Sequence, residues 1–493
     1  MLNLLISSCK YFDQQRVDKC NNYFEEFSDI WFLIYNSKLI VPIIIVFLFT
    51  IYLIFKKSSI MSKKQNYYQI FSLSILFYLI IFNFRTNIPW VDDWVWIENL
   101  QTNELSLWQW LNQPTNIHNI FFTKLIFLFV DNYYNQNIEF FNILSVFIIL
   151  LIGLMVLSKE DKINYLGLSL IIILIFSGKQ FANFTQSCNI VWSLSFLYSI
   201  LIYKYVDKQN LISKYINSVI IFIAPLTFGL GYVIPIYMVS FIYFHKINKK
   251  LKILYIFVSL FSLTLAIFLP KLFSPDTAST VMGYNYLNFD FVTNYKFYIT
   301  YFGVLSNVYL PWINGMAYIG FIIGIFQFLT VLFIFQKIYK SKSKEEYFEF
   351  LSQNILILFG LIFALLVSLT RADLQTVVAA RYSVGSILFQ IGFWKLIFEN
   401  YKFNKNLYKF CIYAIIFYTF FLGIFSPYHG LHWQAKRYAE NSKILDCYKT
   451  NDIKNCNKIA YNSLFYGANW YDFNAFEKQI SELKLQKKSF FNF

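Results

Sequence analysis

Long apolar runs alternate with short polar breaks along most of this chain. The runs occupy 39–55, 70–84, 140–157, 164–177, 190–205, 216–229, 230–244, 253–270, 313–335, 351–369, 383–398 and 410–426. Most approach the length of about 20 residues with which a helix crosses a bilayer core. The 216–244 stretch is interrupted by Pro225, Gly229, Gly231 and Pro235, which predicts a tight helical hairpin or one kinked helix. The stretch 297–312, FYITYFGVLSNVYLPW, is apolar but short, and the parity of its neighbours does not let it cross. It is predicted to be an interfacial or re-entrant helix. The pattern as a whole predicts an all-α, polytopic integral membrane protein with about eleven transmembrane helices.

Lysine sets the orientation. The breaks 56–64, 158–163, 204–215, 245–252, 336–350 and 399–409 are mostly richer in lysine than in acid, and the positive-inside rule places them in the cytoplasm. The breaks 85–139, 178–189, 271–312 and 370–382 then lie outside, as does everything after 426. Three regions follow. Residues 1–60 form an N-terminal extension with one extra transmembrane helix, after which Met61 reads like an ordinary chain start. Residues 61–426 form the transmembrane core. Residues 427–493 form a polar tail on the outer side. The first 38 residues carry Lys10, Asp13, Arg16, Asp18, Lys19, Glu25 and Glu26, which is not the apolar region of a cleavable signal.

Composition strengthens this picture. Of 493 residues, 57% are hydrophobic and 14% charged, against about 25% charged in an average soluble domain. Mean hydropathy is +0.48. The net charge of +15 comes from lysines between apolar runs, so it predicts a bilayer partner and no nucleic acid. Cys447 and Cys456, in DCYKTNDIKNC, are placed to close a small loop by a disulfide if the tail is outside. Cys9 and Cys20 would also face an oxidising compartment. Cys188 and Cys411 sit in or beside apolar runs and are expected to be packing residues.

Candidate chemistry concentrates in Arg85 to Asp131, RTNIPWVDDWVWIENLQTNELSLWQWLNQPTNIHNIFFTKLIFLFVD. Asp92 and Asp93 are adjacent carboxylates at the mouth of a span. One could take a proton from an acceptor hydroxyl, or the pair could hold a divalent metal on a phosphate. Alternatively they cap an interfacial helix that starts near Trp94 and buries Trp94, Ile97 and Leu100. His118 could bind a phosphate or orient a carboxylate. Lys124 could neutralise a lipid phosphate or snorkel to the headgroups. On the same outer side, TRADLQTVVAARYS carries Arg371, Asp373 and Arg381, and an arginine fork donates two hydrogen bonds to phosphate. Lys179, Asn183 and Gln186 form a weaker polar set in 178–189. No phosphate-binding loop, GxGxxG, HExxH, CxxC zinc spacing or GxSxG is present.

PWVDDWVWIE after a span, followed by NIHNIFFTKLIF, resembles bacterial polytopic glycosyltransferases of the GT-C type. ARYSVGSILFQIGFW (Ala380 to Trp394) and FANFTQSCNIVW (Phe181 to Trp192) look like later segments of such proteins. The likeness covers roughly Met61 to Phe425. It implies a GT-C-like core whose large first outer loop, 85–139, contains interfacial helices. It implies that Asp92 or Asp93 is the catalytic base of an inverting transfer from a polyprenyl-phosphate sugar. Trp94, His118, Lys124, Arg371, Arg381 and Tyr382 are the corresponding candidates for substrate binding. The acid and arginine anticipated on either side of the histidine are replaced by Ile117 and Asn119.

The expectation is therefore a membrane glycosyltransferase of a bacterial inner membrane. It moves a sugar from a polyprenyl-phosphate donor to a glycan or lipid acceptor of the cell envelope, with active site and tail in the periplasm. No organic cofactor is expected, and a divalent metal is left open. Two other classes compete. A lipid-linked glycan flippase or other transporter would line a mid-membrane cavity with basic groups. An O-antigen-type polymerase would lean on the 271–312 loop.

Overall fold

A computed structural model describes residues 63–83, 87–88, 106–113, 120–159, 165–177, 180, 183, 187–273, 291–303, 317–371, 382–400, 438–449, 453–465 and 473–485, with Ile45 and a few positions between 406 and 414. The described residues are helical with turns between, and none is in a strand. In chain order the helices are α1 (Lys63–Asn83), α2 (Leu107–Asn112), α3 (Phe121–Tyr134), α4 (Glu139–Lys159), α5 (Tyr165–Ile175), α6 (Ile190–Tyr205), α7 (Leu211–Ile223), α8 (Val233–Phe241), α9 (Lys249–Phe273), α10 (Phe291–Phe302), α11 (Ala317–Ser341), α12 (Lys344–Gln353), α13 (Ile355–Arg371) and α14 (Ser383–Asn400). The tail adds α15 (438–449), α16 (Ile453–Phe465) and α17 (Phe473–Leu485).

Four of these helices are long and apolar enough to cross a membrane: 65–83, 139–159, 249–269 and 320–341. A fifth crossing results if α12 and α13, bent by 75°, count as one. This is an all-helical architecture compatible with a multi-pass membrane protein. Of the other apolar helices, 211–223 and 229–244 are too short, and α14, with 18 residues, is too polar. It is buried on every side from Ser383 to Trp394, but Gln390, Lys395 and Glu399 lower its mean hydropathy. A helix apolar all round belongs inside a bundle, and α14 packs against α5, α6, α10 and α13.

The contact between α13 and α14 is close and antiparallel. A Cβ on Gly360 would lie 2.6 Å from that of Phe389, and one on Gly392 would lie 2.7 Å from the backbone nitrogen of Ile357. Small residues permit this approach where apolar burial alone gives helices little reason to associate.

The 216–244 stretch is a hairpin. Asn217 bonds Tyr255, and the Ile221 carbonyl accepts from Ser262, so α7 runs parallel to α9. α8 enters α9 through a short turn and packs against it antiparallel. α7 and α8 therefore run in opposite directions, with the turn at 224–232. Gly231 is required in that turn, since a Cβ there would collide with the carbonyl of Ala224.

Of the 297–312 stretch, 297–303 is described, at the end of α10, where Tyr301 and Phe302 are completely buried among α11, α13 and α14. Twelve residues reach about 18 Å, less than a bilayer core of about 30 Å. Its end stays inside because its last carbonyl is satisfied there. The Phe302 oxygen accepts from Ser386 Oγ (3.1 Å) and Gln390 Nε2 (2.9 Å). Gln390 also pairs with Gln327 of α11, whose Nε2 donates to its Oε1 at 2.9 Å. The Tyr301 hydroxyl donates to the Tyr382 carbonyl at 2.5 Å. Buried carbonyls at a helix end need such donors.

The tail forms a small helical unit. Cys447 and Cys456 are disulfide-bonded as the spacing suggested. Ile444, Tyr448, Ala460, Phe476, Ile480 and Leu483 are buried. Tyr448 donates to Asn457, which donates to Glu477, linking the three helices. Cys188 is buried as a packing residue. Cys9, Cys20 and Cys411 lie outside the described residues, as does the 39–55 helix apart from Ile45.

Candidate functional site

The helices share two ends. One end gathers the lysine-rich turns. At the other, residues distant in sequence form a continuous set of contacts. Thr123 of α3 donates to the Thr227 carbonyl (3.1 Å), and the Phe122 amide donates to Leu226 O (3.2 Å). Phe228 meets the Trp192 ring at 4.9 Å, and Trp192 meets Tyr382 at 5.1 Å. Arg371 closes α13 at this end too, because α13 runs antiparallel to α14.

The loop 85–139 holds two described helices before α4. α2 starts at a capping box in which Ser106 Oγ accepts from the Gln109 amide and Gln109 Oε1 accepts from Ser106 N. α3 buries Thr123, Lys124, Phe127 and Val130, three and four apart, and exposes Leu125, Phe129 and Tyr133. It ends at Asn135 with φ 51°, a left-handed cap that asparagine tolerates.

Lys124 corrects the snorkelling expectation. Its side chain turns inward and is only 1% exposed. Nζ donates to the carbonyls of Trp110 (2.5 Å) and Gln113 (2.7 Å) and stands 5.0 Å from the Trp110 ring centroid. The cause is local. The end of α2 leaves carbonyls without intrahelical donors, and an amine arriving from α3 fills them. Burial pulls the amine down from 10.5 to about 7. In this geometry Lys124 is a strap between α2 and α3.

Tyr382 is also buried, at 3%, between Trp192 and Tyr301. Asn183 is fully buried on the same side of the bundle. Asp92, Asp93, Trp94, His118, Lys179, Gln186, Asp373 and Arg381 lie outside the described residues, as does the side chain of Arg371. Of their described neighbours, Gln113 accepts from Lys124 and Tyr382 meets Trp192 at this end. Among the described residues, no group of three or more His, Cys, Asp or Glu stands together to hold a metal.

The lysine-rich end holds a cavity of about 410 Å³ that sequence reasoning missed. Lys395 of α14 donates to Tyr203 Oη (2.7 Å) and lies 3.8 Å from Glu399. Lys159 sits 5.2 Å from the Tyr203 ring centroid, and Lys246 bonds Glu349 at 2.5 Å. In the wall, His245 Nδ1 is 2.5 Å from Asp207 Oδ1, and Nε2 is 2.6 Å from the Tyr237 hydroxyl. Tyr237 donates onward to the Ser352 carbonyl at 2.8 Å. Burial alone would raise the Asp207 carboxyl, but the His245 hydrogen bond and charge, with Lys159 and Lys395, hold it below its usual value. The one available signal was a histidine at the edge of a lysine-rich break, which pointed only to a cytoplasmic loop. Comparison of the chain with protein-family models, with curated proteins and with solved structures gives no match.

Proposed function

We propose that the chain is a GT-C-like membrane glycosyltransferase with about eleven crossings, acting where the Trp192 end of the bundle meets the outer surface. One observation carries this. Described residues flanking the three segments singled out for chemistry, 85–131, 178–189 and 371–382, belong to one end of the bundle and touch in series through Thr123, Thr227, Phe228, Trp192 and Tyr382. The lysine parity of the sequence already assigns these breaks to one side, and the contacts through Thr123, Trp192 and Tyr382 add that their edges meet there.

The reaction is a single displacement. The acceptor hydroxyl oxygen attacks the anomeric carbon, and Asp92 or Asp93 takes the hydroxyl proton. The bond from that carbon to the donor phosphate oxygen breaks, and polyprenyl phosphate leaves with the electron pair. Arg371 and Arg381 hold the phosphate as its charge grows. Trp94 and His118 line the sugar or phosphate side. Lys124 and Tyr382 act as positioning residues, the first fixing α2 against α3 and the second fixing the start of α14 on Trp192. The Cys447–Cys456 bond and the lysine-rich opposite end support an outer tail and an outer active site on a bacterial inner membrane.

The test is turnover of a panel of polyprenyl-phosphate sugars by the purified protein in lipid, read as released polyprenyl phosphate, for wild type, Arg371→Lys and Arg381→Lys. Transfer by the wild type with about 10-fold or greater loss in either variant supports the reading. Turnover unaffected by both would remove the arginines from it. Transport of an intact lipid-linked glycan without transfer would replace it with the flippase class.

A further inference from the structure

The contacts around His245 can be read by proton counting. A phenol carries one proton. The Ser352 carbonyl only accepts, so the 2.8 Å bond from Tyr237 uses that proton. The 2.6 Å contact between His245 Nε2 and the Tyr237 oxygen is then a hydrogen bond only if Nε2 carries hydrogen. On the other side, the carboxylate of Asp207 only accepts, so Nδ1 carries hydrogen as well. All three contacts are satisfied together only when His245 is an imidazolium.

Removing one proton rearranges the chain. Nδ1–H stays on Asp207, and the bare Nε2 becomes the best acceptor within reach of Tyr237. The phenol proton then swings to Nε2, and the Ser352 carbonyl loses its donor. That carbonyl belongs to the last turn of α12, one of the helix-end acceptors with no intrahelical partner. It immediately precedes the 75° bend into α13.

We propose that His245 is a proton-operated latch that ties the end of α12, at the bend into α13, to α8 when protonated and releases it when neutral. Tyr237 itself does not reach the cavity, since it is 0% exposed and its hydroxyl faces His245 and the Ser352 carbonyl. Charged groups of both signs surround the latch. Asp207, from the turn after α6, stabilises the imidazolium directly. Glu349 of α12 and Glu399 of α14 act in the same sense. Lys246 beside it, Lys159 at the end of α4 and Lys395 of α14 oppose it. Lys246 and Lys395 are partly neutralised by Glu349 and Glu399. The latch forms one wall of the cavity at this end, so opening α12 would widen that cavity.

The experiment uses the full chain in lipid nanodiscs and does not depend on its catalytic activity. Amide exchange of the peptide spanning 343–356 is compared at pH 5.5 and 8 after correction for intrinsic exchange, the interval in which an imidazole exchanges its proton. The wild type is expected to exchange about fivefold more slowly at pH 5.5, the equivalent of one net hydrogen bond. Tyr237→Phe and His245→Gln should each flatten that difference. Ring nitrogen resonances of the four histidines, assigned with His245→Gln, should show both His245 nitrogens protonated at pH 5.5 and one at pH 8. A wild type with no pH difference at 343–356 overturns the latch, as does a Tyr237→Phe protein that keeps it. If Tyr237→Phe does not fold, the His245→Gln exchange and the wild-type nitrogen resonances decide in the same way.

Discussion

Replacing Lys124 with methionine removes a buried amine and its two hydrogen bonds while roughly keeping its volume. Three terms decide the outcome. Lowering the amine from 10.5 to about 7 corresponds to roughly 5 kcal/mol of disfavour for the charged form in the folded state. Against this stand hydrogen bonds to the Trp110 and Gln113 carbonyls, each about 1 kcal/mol from a neutral amine and about 2 from an ammonium. Methionine also leaves those two carbonyls without this donor. Below pH 7 the lysine is charged in both the folded and unfolded chains, so the wild type carries its full desolvation cost there. Between pH 7 and 10.5 the unfolded chain holds the proton and the folded chain has lost it, so stability rises with pH. From pH 6 to 9 that rise is roughly 3 kcal/mol. Lys124→Met should therefore be close to neutral at pH 6 and destabilising by about 3 kcal/mol at pH 9. Reversible unfolding in mixed micelles at several pH values, with the variant subtracted from the wild type, cancels every other titrating group. A difference that stays constant with pH, or shrinks as pH rises, would refute the buried-amine account.

Gln390→Leu should cost about 2–4 kcal/mol, because it strips one of two side-chain donors from Phe302 O and leaves Gln327 facing leucine. The double change Gln327→Leu with Gln390→Leu should recover part of that loss in the same unfolding assay. Recovery does not occur if the amide pair is incidental. Replacing both Cys447 and Cys456 by serine opens a loop of nine-residue separation, worth about 2.5 kcal/mol of tail stability. Limited proteolysis should then cut 438–485 faster while the α4, α9 and α11 spans stay intact, and unchanged cleavage would mean that the three tail helices hold without the bond.

Much of the helix plan was legible because apolar period and lysine parity are properties of the sequence alone. The 190–205 run is α6, the start of α14 falls at Ser383, and the Pro and Gly breaks at 225–235 mark a real hairpin turn. What failed to show was polar satisfaction between distant positions. Lys124 turns inward because the end of α2, more than ten residues earlier, presents open carbonyls, and no spacing rule encodes that meeting. α10 was legible as too short to cross. Its burial depends on Ser386 and Gln390, more than 80 positions away, accepting its end into the core. Asp207, Tyr237, His245 and Ser352 come from four separate elements, so their series exists only after the bundle forms. Conversely, the paired aspartates and Arg371 and Arg381 were conspicuous in sequence, since carboxylates and guanidiniums break a strongly apolar pattern.

An aspartate base at Asp92 or Asp93 is tested by polyprenyl phosphate release from purified wild type, Asp92→Asn and Asp93→Asn in lipid, with folding checked by unfolding midpoint. Turnover by the wild type is expected, with loss of about 10²-fold or more in one variant, which names the base. Equal turnover by all three folded proteins would make the pair a helix cap and contradict the catalytic assignment.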